Sequence, residues 1–378
     1  MSRFVVDPAF PATLRGIREQ RGLSLRELAK RAYSSGSQLQ RLEAGGAQPT
    51  PELTRDLDDA LDAGGRLAAL VTAVEVEIDD DRLAYAARYP RRTDAAVIDD
   101  LAVLLAAQRR LDDAVGSATV LSPADAQVAT IEALVGDARD EVLRKRILDV
   151  GSQWAQFAGW LHAATGNRGK ARGAFAQALE WATEADDRDM IATLLSFKAY
   201  LAEGAGQIGS MIGLSEAAQR DPGVYAGQRA YSAGQEARAR AIAGEEQPAI
   251  AKISEAAELA AEAGEAPPWV YFHTPDFFVI QRGIVYKHLG DGSELRNRQA
   301  IDMLTGGLDG LAPDARRAEW AGVYICHLVE AQARAGDLGA ATAALHEAQA
   351  IAATSRSVKL SARVGSLARK WGLSLECP

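Results

Sequence analysis

Between Ser35 and Glu43 the chain sets Gly36, Ser37, Gln38, Gln40 and Arg41 around only two apolar side chains, Leu39 and Leu42. These residue types do hydrogen-bonding chemistry. Arginine presents a planar fork of donors that meets guanine or phosphate bidentately, glutamine offers a donor and an acceptor side by side, and serine adds a hydroxyl. Elsewhere there is no G-x-S-x-G elbow, no P-loop, no His-Glu metal motif and no paired Cys/His arrangement. The chemistry on offer is recognition, and no enzymatic activity, catalytic residue or cofactor is expected.

Local signals say how these residues are held. Ser24 and Glu27 form a capping box, so a helix is predicted from residue 25 to about 32. Ser35 caps the next one, in which Leu39 and Leu42 at i and i+3 bury one narrow face and leave Gly36, Ser37, Gln40 and Arg41 outside. A helix over about 12–21, stopped by Gly22, turns Leu14 and Ile17 inward. After Gly45 and Gly46 break the chain, Thr50-Pro51-Glu52 opens a helix whose Leu53, Leu57 and Leu61 close a small core. Arg15, Arg18, Arg21, Arg26, Lys30, Arg31 and Arg41 outnumber Glu19, Glu27 and Glu43 here, which supplies salt-dependent attraction to phosphates.

The stretch LRGIREQRGLSLRELAKRAYSSGSQLQRLEAGGAQPTPELTRDLDDAL resembles the helix-turn-helix domain of the xenobiotic-response-element type, the fold of the lambdoid phage repressors. The resemblance implies a supporting helix at 25–32 and a recognition helix at 35–43 that enters the major groove. Gly36, Ser37 and Arg41 then stand where family members touch base edges, Gln38 and Gln40 flank them, and Ser35 begins the helix. Ser24 and Arg26 lie near the DNA backbone. The resemblance also pairs Arg18 with Glu43, as a structural link. Tyr33-Ser34 departs from the Gly-Val that many members carry in the turn.

Around this module the chain is alanine-rich with few β-branched runs, and an all-α protein is expected. At 378 residues it exceeds a single domain, and its net charge of −9 excludes a chain basic along its whole surface. Cys326 and Cys377 give neither a disulfide framework nor metal-ligand spacing. No signal sequence or apolar run long enough to span a bilayer is visible, so a cytoplasmic protein with no membrane partner is expected. The acidic EVEIDDD at 75–81 and the YPRR at 89–92 punctuate a helical connector, 66–150, with segments at about 94–115, 123–136 and 138–150, the second opened by Ser122-Pro123. This connector either joins two domains or forms a dimer.

From residue 151 the sequence repeats. WAQFAGWLHAATGNRGKARGAFAQALEWATEADD, 154–187, with Gly159, Gly166, Ala171, Phe175 and Ala178, resembles a tetratricopeptide repeat. Turn marks recur at Gly206, Gly244, Gly290 and Gly336, and 324–352 is the best later copy. About five repeats and a closing helix near 358–371 are expected. First helices of stacked pairs build the inner wall of a solenoid, which places Gln153, Gln156, Trp160, Tyr200, Tyr231 and Arg238 inward as ligand-binding candidates. The aromatic APPWVYFHTPDFF, 266–278, breaks the rhythm and is read as an ordered loop that seals the groove or packs between repeats. His273 lacks companion ligands, so no metal site is expected.

The order of a repressor-like module and tetratricopeptide-like repeats resembles peptide-sensing transcription regulators of Gram-positive bacteria, and AQRRLDD and WAQFAGWLHAATG also look like actinobacterial regulators of this layout. That resemblance implies domains at 1–65, 66–150 and 151–378, a homodimer on double-stranded DNA, and a peptide or small-molecule effector as in quorum sensing. Against a peptide, the inward asparagines that clamp a peptide backbone are missing, since only Asn167 and Asn297 are present. A protein-interaction adaptor whose repeats hold a protein partner is the alternative reading.

Overall fold

The computed structural model describes residues 3–6, 10–44, 49, 51–74, 80–89 and 93–375. The expected break at Gly45 and Gly46, the Thr50 cap, most of EVEIDDD and Pro90-Arg91-Arg92 lie outside the described residues. The chain divides into two compact units, Met1–Asp80 and Asp81–Pro378.

The first unit packs α1 (Phe10–Gln20), α2 (Leu25–Arg31), α3 (Gly36–Glu43) and α4 (Pro51–Leu61) around a core of Leu14, Ile17, Leu28, Leu39, Leu42, Leu57 and Leu61. Ser24 makes the expected capping box with Glu27, and the Ser35 hydroxyl accepts from the Gln38 amide. Asp58, buried in α4, accepts from the Leu67 and Ala68 amides at 2.9 and 2.7 Å and so ties down the chain leaving the helices. One feature departs from an all-helical module. Residues Arg3–Val6 (β1) and Val71–Val74 (β2) pair antiparallel, Arg3 opposite Val74 and Val6 opposite Val71. Their valine-rich runs are too short for a helix and favour extended backbone.

The second unit is an α-solenoid. After α5 (Asp80–Arg88) come α6 (Ala95–Val115), α7 (Ser117–Asp137) and a 24-residue α8 (Glu141–Ala164). Helices α8 and α9 (Arg168–Glu184) form the first hairpin. It is followed by α10 (Arg188–Gly204) with α11 (Ile208–Ala218), α12 (Ala226–Ile242) with α13 (Glu246–Ala261), and α14 (Pro275–Leu289) with α15 (Glu294–Gly310). A short α16 (Pro313–Arg317) leads to the fifth pair, α17 (Glu319–Arg334) with α18 (Leu338–Thr354), and α19 (Val358–Trp371) closes the stack.

Several boundaries differ from the sequence reading. The 66–150 connector is not a separate element: residues 66–74 belong with the first unit, while Val97, Leu101, Leu105, Val120 and Ile131 share one buried core with Trp154, Phe157 and Phe175. The break expected at about 150 is absent, because Gly151 is packed inside α8 against Ile131 and Trp181. Pro123 does not open α7 but lies within it; the carbonyl it leaves without a donor belongs to the exposed Thr119. In the fourth hairpin the left-handed turn falls on Gly292 (φ +82°) and not Gly290, whose bare Cα instead lets the Asn297 backbone approach.

Gly159 shows how tightly paired helices meet. A Cβ there would stand 2.5 Å from two ring carbons of the fully buried Phe175. Gly159→Ala should therefore cost the second unit about 1–3 kcal/mol through overpacking, measured by denaturant unfolding followed by tryptophan fluorescence; an unchanged midpoint would contradict this contact.

Candidate nucleic-acid interface and ligand chamber

Helix α3 is anchored from behind. Leu39 and Leu42 are fully buried, and the Glu43 carboxylate, also buried, accepts from Arg18 Nε at 2.6 Å and Arg18 Nη2 at 2.9 Å. That hydrogen-bonded pairing, partly offset by burial, raises the Arg18 pKa above its ordinary value. Arg15 adds a hydrogen bond to the Glu43 carbonyl at 2.9 Å. Arg18 also donates to the Leu23 carbonyl, so one guanidinium ties α1 to the entry of α2 and the end of α3.

The turn between α2 and α3 is made without glycine. Tyr33 takes the left-handed conformation (φ +50°) and is 93% exposed, and the Ser34 amide bonds back to the Ala29 carbonyl at 2.9 Å. The departure from Gly-Val therefore keeps the left-handed turn at the cost of placing a Cβ there.

Opposite the leucines, Ser37, Gln40 and Arg41 are exposed, and Gly36 opens the face with no side chain at all. Among the described residues the side chains of Gln40 and Arg41 have no hydrogen-bond partner. Gln38 is half-buried, held by the Ser34 hydroxyl at 3.2 Å, and the Ser35 and Ser37 hydroxyls lie 3.2 Å apart. Ser24 is engaged with Glu27, and Arg26 projects to solvent beside it.

In the second unit the first helices of the pairs line an interior chamber in two compartments. One, of about 70 Å3, is bounded by Gln156, Trp160, Phe197, Tyr231, Trp269, Tyr271, Phe277, Trp320 and Tyr324, with Arg109, Asp112 and Asp113 of α6. The other, of about 440 Å3, shares Trp160, Phe197, Tyr231, Trp320 and Tyr324 with it and continues to Tyr200, Glu203, Arg238, Lys287, His288, His327, Glu330, Lys359 and Arg363. Of the residues the sequence places inward, Gln156, Trp160, Tyr200, Tyr231 and Arg238 are here. Gln153 is not. It shares their stripe of α8 but lies beyond the end of the chamber, bonded to Asp149.

The sequence reading missed the α6 residues, hidden in what looked like a connector, and the distal wall from Lys287 to Arg363. Trp320 and Tyr324, four apart on the first helix of the best later repeat, were the available signal. The 266–278 segment resolves into a 3-10 turn at Pro268–Val270 and the start of α14. Trp269 donates to Thr193 at 3.1 Å, and Tyr271 to Asp113 at 2.5 Å. His273 is buried among Tyr225, Tyr231, Phe272 and Phe277, neither ring nitrogen has a partner among the described residues, and burial pushes its pKa down to about 3. It is a neutral packing ring. Asn297 is buried between hairpins, donating to the Ala331 carbonyl at 2.8 Å, away from the chamber.

The chamber is closed where the last helices return to the first. Asp113 accepts from Trp320 Nε1 at 3.2 Å as well as from Tyr271. Glu319 accepts from the Ser117 amide and the Ser357 hydroxyl, and Lys359 donates to the Ala163 carbonyl and the Tyr200 hydroxyl. Asp112 accepts from Ser117 at 2.7 Å and Trp160 at 3.0 Å, yet burial, with Asp113 nearby, raises its pKa to about 7.

These features define a class, an N-terminal helix-turn-helix domain followed by an α-solenoid. A helix-turn-helix domain family matches residues 9–71. A search of the curated proteins finds no match. Among solved structures, the crystal structure of Bacillus thuringiensis PlcR in complex with the peptide PapR7 and DNA matches over 78% of this chain and 94% of its own, at 14% identity and a TM-score of 0.27. A superposition that loose transfers nothing from PlcR's ligands to this chain. No helix among the described residues is long and apolar enough to cross a membrane.

Asp112 gives a pH test. Its carboxyl titrates near 4 when unfolded and near 7 when folded, so the folded unit holds an extra proton between those values. The resulting stabilisation, relative to Asp112→Asn, is full below about pH 4 and is lost as the pH rises to about 7. Melting both proteins across this range should show the wild-type Tm falling relative to that of Asp112→Asn as the pH rises; a flat difference would refute it.

Proposed function

We propose that the chain is a cytoplasmic, sequence-specific transcription regulator that binds double-stranded DNA through α3 as a homodimer, with a ligand in the solenoid chamber shifting dimer geometry. The observation that carries this reading is the face of α3: Ser37, Gln40 and Arg41 exposed, over leucines and a buried Glu43 paired with Arg18 that fix the helix. A helix held rigidly from one side and lined with donors and acceptors on the other is suited to a groove of base edges. Two half-sites at a set spacing call for two copies of the module, which is the reason for a homodimer.

The chamber supports the sensing half. It is concave, aromatic-walled and provided with a few buried charges, the usual make-up of a small-ligand site. A peptide or a small molecule fits this reading, and a signal shared between cells, as in quorum sensing, is one source of either.

Selection of bound fragments from genomic DNA, with and without cell extract, would expose operator, symmetry and ligand dependence together. With an operator in hand, Arg41→Ala should lose about 1–3 kcal/mol of binding and relax the preference at one base position. Unchanged affinity and specificity would remove α3 as the reading element. Stoichiometric recovery of a protein partner, with DNA binding indifferent to ligand, would favour an adaptor instead.

A further inference from the structure

The larger compartment of the chamber has more hydrogen-bond donors than acceptors. Arg238 is 6% exposed; its Nη2 lies 2.9 Å from Glu203 as an ion pair, but neither Nη2 nor Nε makes a hydrogen bond among the described residues. His327, also buried, is approached on both ring nitrogens by cations, Lys287 Nζ at 3.0 Å on Nδ1 and Arg363 Nη2 at 3.1 Å on Nε2. A neutral imidazole has one acceptor nitrogen, so one of these two donors must face an N–H. Lys287 is satisfied by Glu330 at 2.6 Å. Arg363 has only the shared His327 ring beside it and no carboxylate partner among the described residues.

Charge points the same way. Arg168, Arg238, Lys287, Lys359 and Arg363 line this compartment against Glu203, Glu319 and Glu330. Glu319 is already occupied by Ser117 and Ser357, and Lys359 is held by neutral oxygens. Burial, reinforced by these cations, keeps His327 neutral and pushes His288 down to about 2. Unpaired buried donors in a positive field are costly unless an acceptor arrives. The neighbouring wall of Trp160, Phe197, Tyr231, Trp320 and Tyr324 carries little charge and leads to the aromatic compartment.

We propose that the ligand of this chamber is an organic acid with an apolar or aromatic body: its carboxylate is held by Arg238 and Arg363, and its body lies along the Trp160–Trp320 wall. The inference rests on the ligand-sensing reading and gives it a chemistry. A free acid and the C-terminus of a short apolar peptide present the same group, and the test separates them.

Binding to the full chain is measured by calorimetry and by quenching of tryptophan emission, using phenylbutanoate, phenylbutanol and phenylbutylamine, and N-acetylated Leu-Leu-Phe as acid and as amide. At least one acid should bind with one-to-one stoichiometry and quench emission. Its alcohol or amide counterpart should bind at least about tenfold more weakly, the value of a charge-assisted hydrogen bond, and the amine should bind worst. Preference for the peptide acid over phenylbutanoate would assign the peptide source, and the reverse order the free acid. Arg238→Met should reduce acid binding about tenfold or more. Because it strands Glu203 and can unfold the chain, Arg363→Gln, at a half-buried residue without a carboxylate partner, should give a similar loss with an unchanged melting curve. Equal binding of acid and neutral probe, acid binding insensitive to Arg363→Gln, or no acid binding up to solubility would each overturn the proposal. If the acids bind as expected and DNA affinity does not respond, the ligand chemistry stands and the coupling to DNA falls.

Discussion

The second unit depends on a small group of carboxylates that bridge the ends of its helical stack. Solenoid repeats ordinarily touch only their neighbours, and their inner wall stays open to water. Here Asp113 receives both Tyr271 and Trp320, and Glu319 receives Ser117 and Ser357, so the turn between α6 and α7 is fastened to helices some two hundred residues away. Gly116 makes this approach possible: a Cβ there would run into the Ser355 carbonyl. With the ends joined, a concave wall of aromatic rings becomes a partly enclosed space, and the buried charges inside it acquire their strength.

The first unit solves a different problem, how to hold a polar edge still. Its α3 has eight residues, too few for an isolated helix to persist in water. Order comes from tertiary contacts: two leucines, a capping serine, and one guanidinium that reaches α1, the start of α2 and Glu43 together. The edge that faces out can therefore consist of residues with no structural duty.

How much of this the sequence reveals depends on the range of the interaction. Local rules suffice for the capping box, the Ser35 cap and the five hairpins, because each lies in a short window or a repeated one, whereas the Arg18–Glu43 link, 25 residues apart, is reached only through the resemblance. They fail where a rule has a tertiary exception. Pro123 looks like a helix start but is carried inside α7, Gly151 looks like a break but is a packing contact, and the β1–β2 pair joins residues about seventy positions apart. The chamber was half legible. Trp160, Tyr200, Tyr231 and Arg238 follow from repeat position, whereas Arg109, Asp112 and Asp113 enter only because the stack closes, which no periodicity records.

Closure also sets an order of events during synthesis. The contacts of the helix-turn-helix unit all lie within the first eighty residues, so it can fold as soon as they leave the ribosome. The hairpins can then stack one after another, since each needs only its neighbour. The chamber has no complete wall until Lys359 and Arg363 meet a surface begun at Arg109. A chain interrupted before α19 would thus carry a finished helix-turn-helix unit and an unfinished chamber, with its aromatic wall exposed to aggregation and proteolysis. Quality control that acts on exposed apolar surface would therefore remove truncated chains whose first unit is complete and whose chamber is not.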